Sequence, residues 1–205
     1  MKRFPVFISL LFFVITCAFS CKSRVRTKDE LIKYIHDPAH GLKKEVEIHQ
    51  IKLELINQPW QLMSLNRLGV NKKPSKGQQK TLQELSEKYF FVLSLSSHGR
   101  ELLPQLDFNT YSEMVQVLSF RMGTYCSALP DGKRSVEPSH CLFQPTFGMA
   151  NANSLLLVFD KKKLGPFSKL KIVVKEFGLS TGNQVFEFSE KDVNALSSLT
   201  YSQLL

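Results

Sequence analysis

Leu155-Leu156-Leu157-Val158-Phe159, Leu170-Lys171-Ile172-Val173-Val174 and Val185-Phe186-Glu187-Phe188 are the runs that decide the fold. Each is short and dense in leucine, β-branched and aromatic side chains, the composition of a strand that packs on a pleated surface. Gly165-Pro166 and Ser180-Thr181-Gly182-Asn183 punctuate them as turns. Upstream, Cys141-Leu142-Phe143 is a further strand-like run, parted from the first by the turn-rich stretch Gly148 to Asn153. Regular short strands with such turns predict an antiparallel sheet or sandwich in the C-terminal half.

Towards the N-terminus the periodicity changes. Tyr111, Met114, Val115, Leu118 and Met122 recur at helical spacing behind Thr110 and Glu113, which have the spacing of a capping box. Thr81 with Glu84 predicts another helix start, carrying Leu82, Leu85 and Tyr89, and Phe90-Phe91-Val92-Leu93-Ser94-Leu95 then reads as a buried strand. Gly69 to Gln79 is polar and rich in Lys, Gly and Pro, so it is expected to be a loop. Pro59 suits the first turn of a helix through Trp60, Met63 and Leu68. Val46 and Ile48, then Ile51, Leu53 and Leu55, alternate with a phase slip at His49-Gln50, the mark of a tight hairpin. Thr27 and Glu30 cap a first helix, stopped by Asp37-Pro38, and Ser189 opens a last short one through Val193 and Leu196. The fold class expected is therefore α+β: an antiparallel sheet or sandwich mostly in the C-terminal half, with several short amphipathic helices in the N-terminal half.

Residues 1–20 have the three parts of an export signal. Lys2 and Arg3 are the basic start, Val6 to Phe19 is the apolar run, and the small Ser20 precedes Cys21. The apolar run is short for a bilayer span, which needs ~20 residues. Cleavage before Cys21 and acylation of its thiol would leave a lipid anchor, since each buried methylene adds about 0.8 kcal/mol to membrane binding. Cys17 is the competing site; it has a better residue three places back but a bulkier one directly before the cut. The expected organisation is a signal over 1–20, a lipidated tether over 21–27 and a single α+β domain over 28–205.

Removing 20 residues from 205 leaves 185, enough for one sizeable domain, and takes two of the nine net positive charges away. An exported basic chain has no call for nucleic acid. Lys22, Arg24, Arg26 and Lys28 sit beside the anchor, where each charge near an anionic surface is worth about 1 kcal/mol. Lys161-Lys162-Lys163 reads as a turn between strands. Of four cysteines, Cys126 and Cys141 remain in a compartment that permits disulfides. They flank Ala128 to Arg134, so a bridge across a long hairpin is feasible; two buried free thiols are the alternative.

The chain resembles the small lipoproteins of uncharacterised function found in the Bacteroidota. The resemblance rests on Phe19-Ser20-Cys21-Lys22, on Tyr34-Ile35-His36-Asp37-Pro38-Ala39-His40-Gly41-Leu42 and on Val185-Phe186-Glu187-Phe188. It implies an outer-membrane anchor and no known reaction. Surface-exported members usually carry acidic residues after the lipidated cysteine; Lys22, Arg24 and Arg26 point to the periplasmic leaflet instead.

No motif assigns catalysis. His36 and His40 have metal-like spacing, but Pro38 between them disfavours a continuous helix, so neither a metal nor a cofactor is expected. Ser139-His140-Cys141 sets a thiol beside an imidazole, yet neighbours on a strand face opposite ways. Glu187, Glu190 and Asp192 cluster near the last strand as solvated charges. Trp60, Tyr34, Tyr111 and Phe91 could form a sugar platform, although aromatics at periodic apolar positions are more often core. The expectation is a non-enzymatic envelope lipoprotein that contacts membrane lipid through its acylated N-terminus and binds another envelope protein or a glycan. An envelope hydrolase with a site assembled only in the fold, and a ligand-binding β-sandwich, are the alternatives.

Overall fold

The computed structural model describes Val25 and residues 27–68, 74–200 and 204. The export signal, Cys17, Cys21 and the basic residues Lys22, Arg24 and Arg26 lie outside the described residues.

Two antiparallel sheets share one core. The larger holds β1 (Lys43–Ile48), β2 (Ile51–Gln58), β3 (Lys88–Ser97), β7 (Asn153–Asp160) and β6 (His140–Gln144) in that order, with the two-residue β4 (Arg100–Glu101) on the end of β3. The smaller runs β5 (Cys126–Pro130), β8 (Lys169–Val174), β9 (Gln184–Ser189). Leu53, Leu55, Phe91, Leu93, Leu155 and Leu157 from the large sheet meet Ala128, Leu170, Ile172 and Phe186 from the small one. Phe91 stacks at a tilt on Phe188 across the gap, with ring centroids 5.1 Å apart. The α+β class and the antiparallel pairing are therefore as expected.

The local signals explain most elements. His49 and Gln50 both adopt positive φ, which gives the β1–β2 turn the twist a two-residue hairpin needs. Thr27 and Glu30 exchange the two bonds of a capping box at the head of α1 (Lys28–His36). Pro59 precedes α2 (Trp60–Leu68), and its carbonyl accepts from the Leu62 and Met63 amides. Ser189 caps the one-turn α7 (Glu190–Val193).

Several expectations shift. α3 (Lys76–Ser86) begins inside the stretch read as a loop. Ser75 and Gln78 form its capping box, and Thr81 lies within the helix, bonding to the Gly77 carbonyl. The next helix, α4 (Phe108–Gln116), starts before Thr110. Asp107 accepts from the Asn109 and Thr110 amides and so caps it. It continues through a π-helical turn, Val117–Arg121, into the short α5 (Met122–Tyr125). Lys161-Lys162-Lys163 winds into the one-turn α6 (Lys161–Leu164), where Lys161 lies 4.8 Å from the centre of the Tyr89 ring. The N-terminal helices are amphipathic only in part, since α2 buries Gln61 and Ser64 beside Leu62 and Leu65. Gln61 donates to the Leu196 and Leu199 carbonyls and ties the C-terminal segment down.

The long hairpin between Cys126 and Cys141 does not exist. Ala128 to Pro130, read as turn, is strand β5, and β5 pairs with β8 while β6 pairs with β7. The two cysteines thus sit in different sheets, and both are free thiols.

The outer face of the large sheet decides where a site can form. Near the Gln58 end, α2 and α3 cover it: Leu85, Phe90 and Val158 are buried there, with Trp60, Met63 and Leu156 packed around them. A separate cluster of Leu31, Ile35, Leu42, Ile56, Leu62 and Leu65 closes the β1–β2 side. At the other end, among the described residues, no helix lies over Lys52, Glu54, Ser94 and Ser96, and they line an open groove.

Candidate functional site

Loop 145–152, which joins β6 to β7 at the uncovered end, divides two cavities. It is held by Glu101, a carboxylate only 2% exposed. One oxygen accepts from the Thr146 hydroxyl (2.5 Å) and the Ala150 amide (2.8 Å). The other accepts from the Gly148 amide (2.9 Å) and the Asn153 side chain (3.0 Å). Asn153 in turn accepts from the Leu103 amide. Burial pushes the Glu101 carboxyl up, but these four bonds to the ionised form outweigh it and leave the group below the usual carboxylate range. Its four donors use both oxygens, so the group serves the loop and has no free lone-pair direction for acid–base work.

The clamp presents apolar side chains outwards. Phe147 is 78% exposed and Met149 84%, and Phe147 holds φ +52°, a conformation that a bulky residue adopts at a cost. Behind Phe147 lies an apolar notch of about 150 Å³, walled by Tyr111 and Val115 of α4 and by Pro104, Phe143 and Pro145. One helical turn before Tyr111 stands Phe108, 81% exposed, and Phe120, 86% exposed, follows Ser119 on the notch wall. Phe147 on the rim of the notch, with the exposed Met149 on the same loop, sets apolar side chains beside an apolar recess, the setting that marks a contact surface.

On the other side of the loop, Asn151 and Ala152 border a polar groove of about 440 Å³. Glu47, Gln50, Lys52, Glu54, Ser94 and Ser96 make its wall and floor, and the His98–Gly99 turn closes one end.

The residues singled out in the sequence scatter over the molecule. His40 stacks on Tyr34 with ring centroids 3.5 Å apart and bonds to the Tyr34 carbonyl, within a turn started by Pro38. Among the described residues, no three His, Cys, Asp or Glu side chains lie together as a metal site would need. His140 is exposed on β6 while Cys141 turns towards the core, the alternation expected of a strand. Burial pushes the Cys141 thiol up to about 11, and burial with Cys141 nearby pushes Cys126 higher still. Both are protonated at neutral pH, and the thiolate is the nucleophile. Glu187 pairs with Lys169 at 2.8 Å, and Glu190 accepts from Asn194. The proposed aromatic platform is not assembled. Phe91 is core, Tyr34 holds His40, Tyr111 lines the notch, and Trp60 borders a cleft of about 20 Å³, too small for a sugar. Glu101, Phe147 and the serines of β3 were missed. Nothing local marks Glu101, because its donors lie 45 to 52 residues away. The alternation Ser94-Leu95-Ser96 was the one available signal for the groove.

No known family model matches the chain, and no curated protein does. Among solved structures it is similar to a DUF4426 family protein from Pseudomonas aeruginosa, at 9% identity over 73% of this chain and 93% of that one, with a TM-score of 0.35.

Proposed function

We propose that this chain is a lipid-anchored, non-enzymatic binding protein of the bacterial envelope. The acylated Cys21 holds it at the outer membrane facing the periplasm, and the end of the molecule around loop 145–152 engages another envelope component. The observation that carries the binding role is the apolar notch with the exposed Phe147 on its rim, displayed with the exposed Met149 on a loop that a buried carboxylate clamps. A protein with no contact to make gains nothing from a strained, exposed phenylalanine. The groups that would tempt a catalytic reading are otherwise engaged: Glu101 holds the loop, and both thiols are kept protonated by burial. The tether of 21–27 spans at most about 25 Å when extended, which keeps the domain at the membrane.

A photo-crosslinking residue at position 147, with another at the exposed Lys162 as control, tests the contact in intact cells. Discrete adducts at 147 and none at 162 are expected. Equal labelling at both positions, or none at either, removes the reading. Cys21→Ser should move the protein from the membrane to the soluble fraction, and unchanged fractionation would remove the anchor.

A further inference from the structure

The groove on the uncovered end of the large sheet is a built site with its own chemistry. It arises from a step in side-chain height. Across the strands, Glu45, Glu54, Ser94 and Ser154 stand in one row, and Glu47, Lys52 and Ser96 in the next. With strands ~4.8 Å apart the longer row runs about 14 Å. Long side chains on β1 and β2 make a wall, and the short serines of β3 and β7 make a floor. Ser94 and Ser154 share a hydrogen bond of 3.3 Å. Asn151 and Ala152 form the facing rim.

The charges of the wall are largely spent on one another. Lys43 lies 2.7 Å from Glu54 and 3.3 Å from Glu45, and Lys52 lies 2.9 Å from Glu45 and 3.9 Å from Glu54. Two lysines and two glutamates close a neutral quartet. Three groups facing the groove have no hydrogen bond or ion pair among the described residues: the Glu47 carboxylate and the amides of Gln50 and Asn151. This set offers no unspent cation, so an anion such as phosphate meets a net negative wall. An apolar ligand would strip water from hydroxyls and amides without replacing their bonds. A neutral molecule rich in hydroxyls satisfies the set: hydroxyls donate to Glu47, accept from the amide N–H groups, and exchange bonds with the serines. The volume of about 440 Å³ lies within the range of small-ligand sites, ~300–1,000 Å³.

We propose that this groove binds a neutral glycan, held edge-on by Glu47, Gln50, Ser94, Ser96 and Asn151. Among the described residues no Phe, Tyr or Trp lines the groove, so recognition here is by hydrogen bonds more than by stacking. The inference is independent of the apolar notch, because none of these five residues is among those that line it.

The test uses the full mature chain in a polyoxyethylene detergent, whose headgroup carries no sugar to compete. Chitotriose, cellotriose, maltotriose and mannotriose are titrated separately and followed by saturation-transfer NMR and calorimetry. Inorganic phosphate is the anionic control. Saturable binding of at least one trisaccharide is expected, weakened tenfold or more by Ser96→Leu, which fills the floor, and by Asn151→Ala, which removes the facing amide. Phosphate at equal concentration should not displace it. The proposal is overturned if no trisaccharide binds a protein that still melts cooperatively, if both variants bind as the parent does, or if phosphate competes. Phe147→Gly should leave trisaccharide binding unchanged, so failure here and failure of the crosslinking test at position 147 are told apart.

Discussion

The two ends of the outer face of the large sheet use the same strands for opposite purposes. On β3, Phe90 and Val92 face outwards at one end, with Phe91 and Leu93 facing the core between and beyond them; Ser94 and Ser96 occupy the outward positions at the other. The first half is apolar on both faces because α2 and α3 lie over it; the second is apolar on one face only. The strand does not end at the change and its register does not slip. The side chains alone turn a packed wall into an open floor. A sheet can thus carry stability and a binding surface on one face, provided that the switch from Phe-Phe-Val-Leu to Ser-Leu-Ser falls where the helices stop.

The sharpest test of this contrast is to truncate one outward residue from each half. Phe90→Ala should cost about 4 kcal/mol, since a large buried side chain is lost and a cavity remains. Ser94→Ala should stay within about 0.5 kcal/mol, as surface changes do. Urea denaturation followed by circular dichroism measures both. Similar losses at the two positions would mean that the halves are not distinct.

Next in size is the clamp at the border of the open half. Glu101→Ala strands the Thr146, Gly148, Ala150 and Asn153 donors and should cost about 3 kcal/mol. Its pH dependence has a definite sign. The folded carboxyl titrates below its ordinary value, so its contribution is full above the unfolded pKa and is lost as pH falls through the folded one. Stability should therefore drop as the solution is acidified below about pH 5, where free glutamate begins to protonate. In Glu101→Gln that part of the slope should disappear. Glu176 anchors a second loop in the same manner. Burial pushes its carboxyl up, and the amides of Gly178, Gly182, Leu179 and Ser180 more than reverse this. Some acid slope will persist in the Glu101 variant for that reason.

The inner face of β6 supplies a smaller, kinetic effect. Cys141 points inwards between the exposed His140 and Leu142, and Cys126 is buried. With Cys141 raised to about 11, its reaction with a thiol-labelling disulfide should be slow at pH 8 and quicken nearly tenfold per pH unit up to about 11. Rapid labelling of both thiols at pH 7 would show that the inner face opens.

Much of this contrast was legible and some was not. The hairpin at His49-Gln50, the capping box at Thr27 and the four late strands follow from spacing, because their causes lie within a few residues. Helix starts were misread where two signals competed: Asp107 outbid Thr110, and Ser75 with Gln78 opened a helix inside a polar stretch that looked like loop. The hydrophobic pattern could not say that β5 leaves for the second sheet, since pairing partners are set by contacts across the core. The candidate sites depended on such contacts throughout. Cys126 and Cys141 are close in sequence yet belong to opposite sheets, while Glu101 and Ala150 are far apart in sequence and bonded.

The smallest effect is expected at Phe147, and its smallness is the point. At φ +52° a phenylalanine side chain crowds its own backbone at a cost of about 1–2 kcal/mol, and the ring buries little in return. Glycine adopts this conformation freely but loses more entropy on folding, by about 0.5–1 kcal/mol. Phe147→Gly should therefore leave stability unchanged or raise it by up to about 1 kcal/mol in thermal melts. The Glu101 clamp persists, because its bonds go to Thr146, Gly148, Ala150 and Asn153 and not to the Phe147 side chain. Binding of a hydrophobic dye to the folded protein should fall, since one wall of the notch is removed. If the variant instead loses several kcal/mol, the ring is part of the fold and the open end of the sheet is less free of structural duty than the contrast requires. If stability holds and dye binding falls, the residue is kept for what it displays, and the strain at 147 is a property of the contact surface alone.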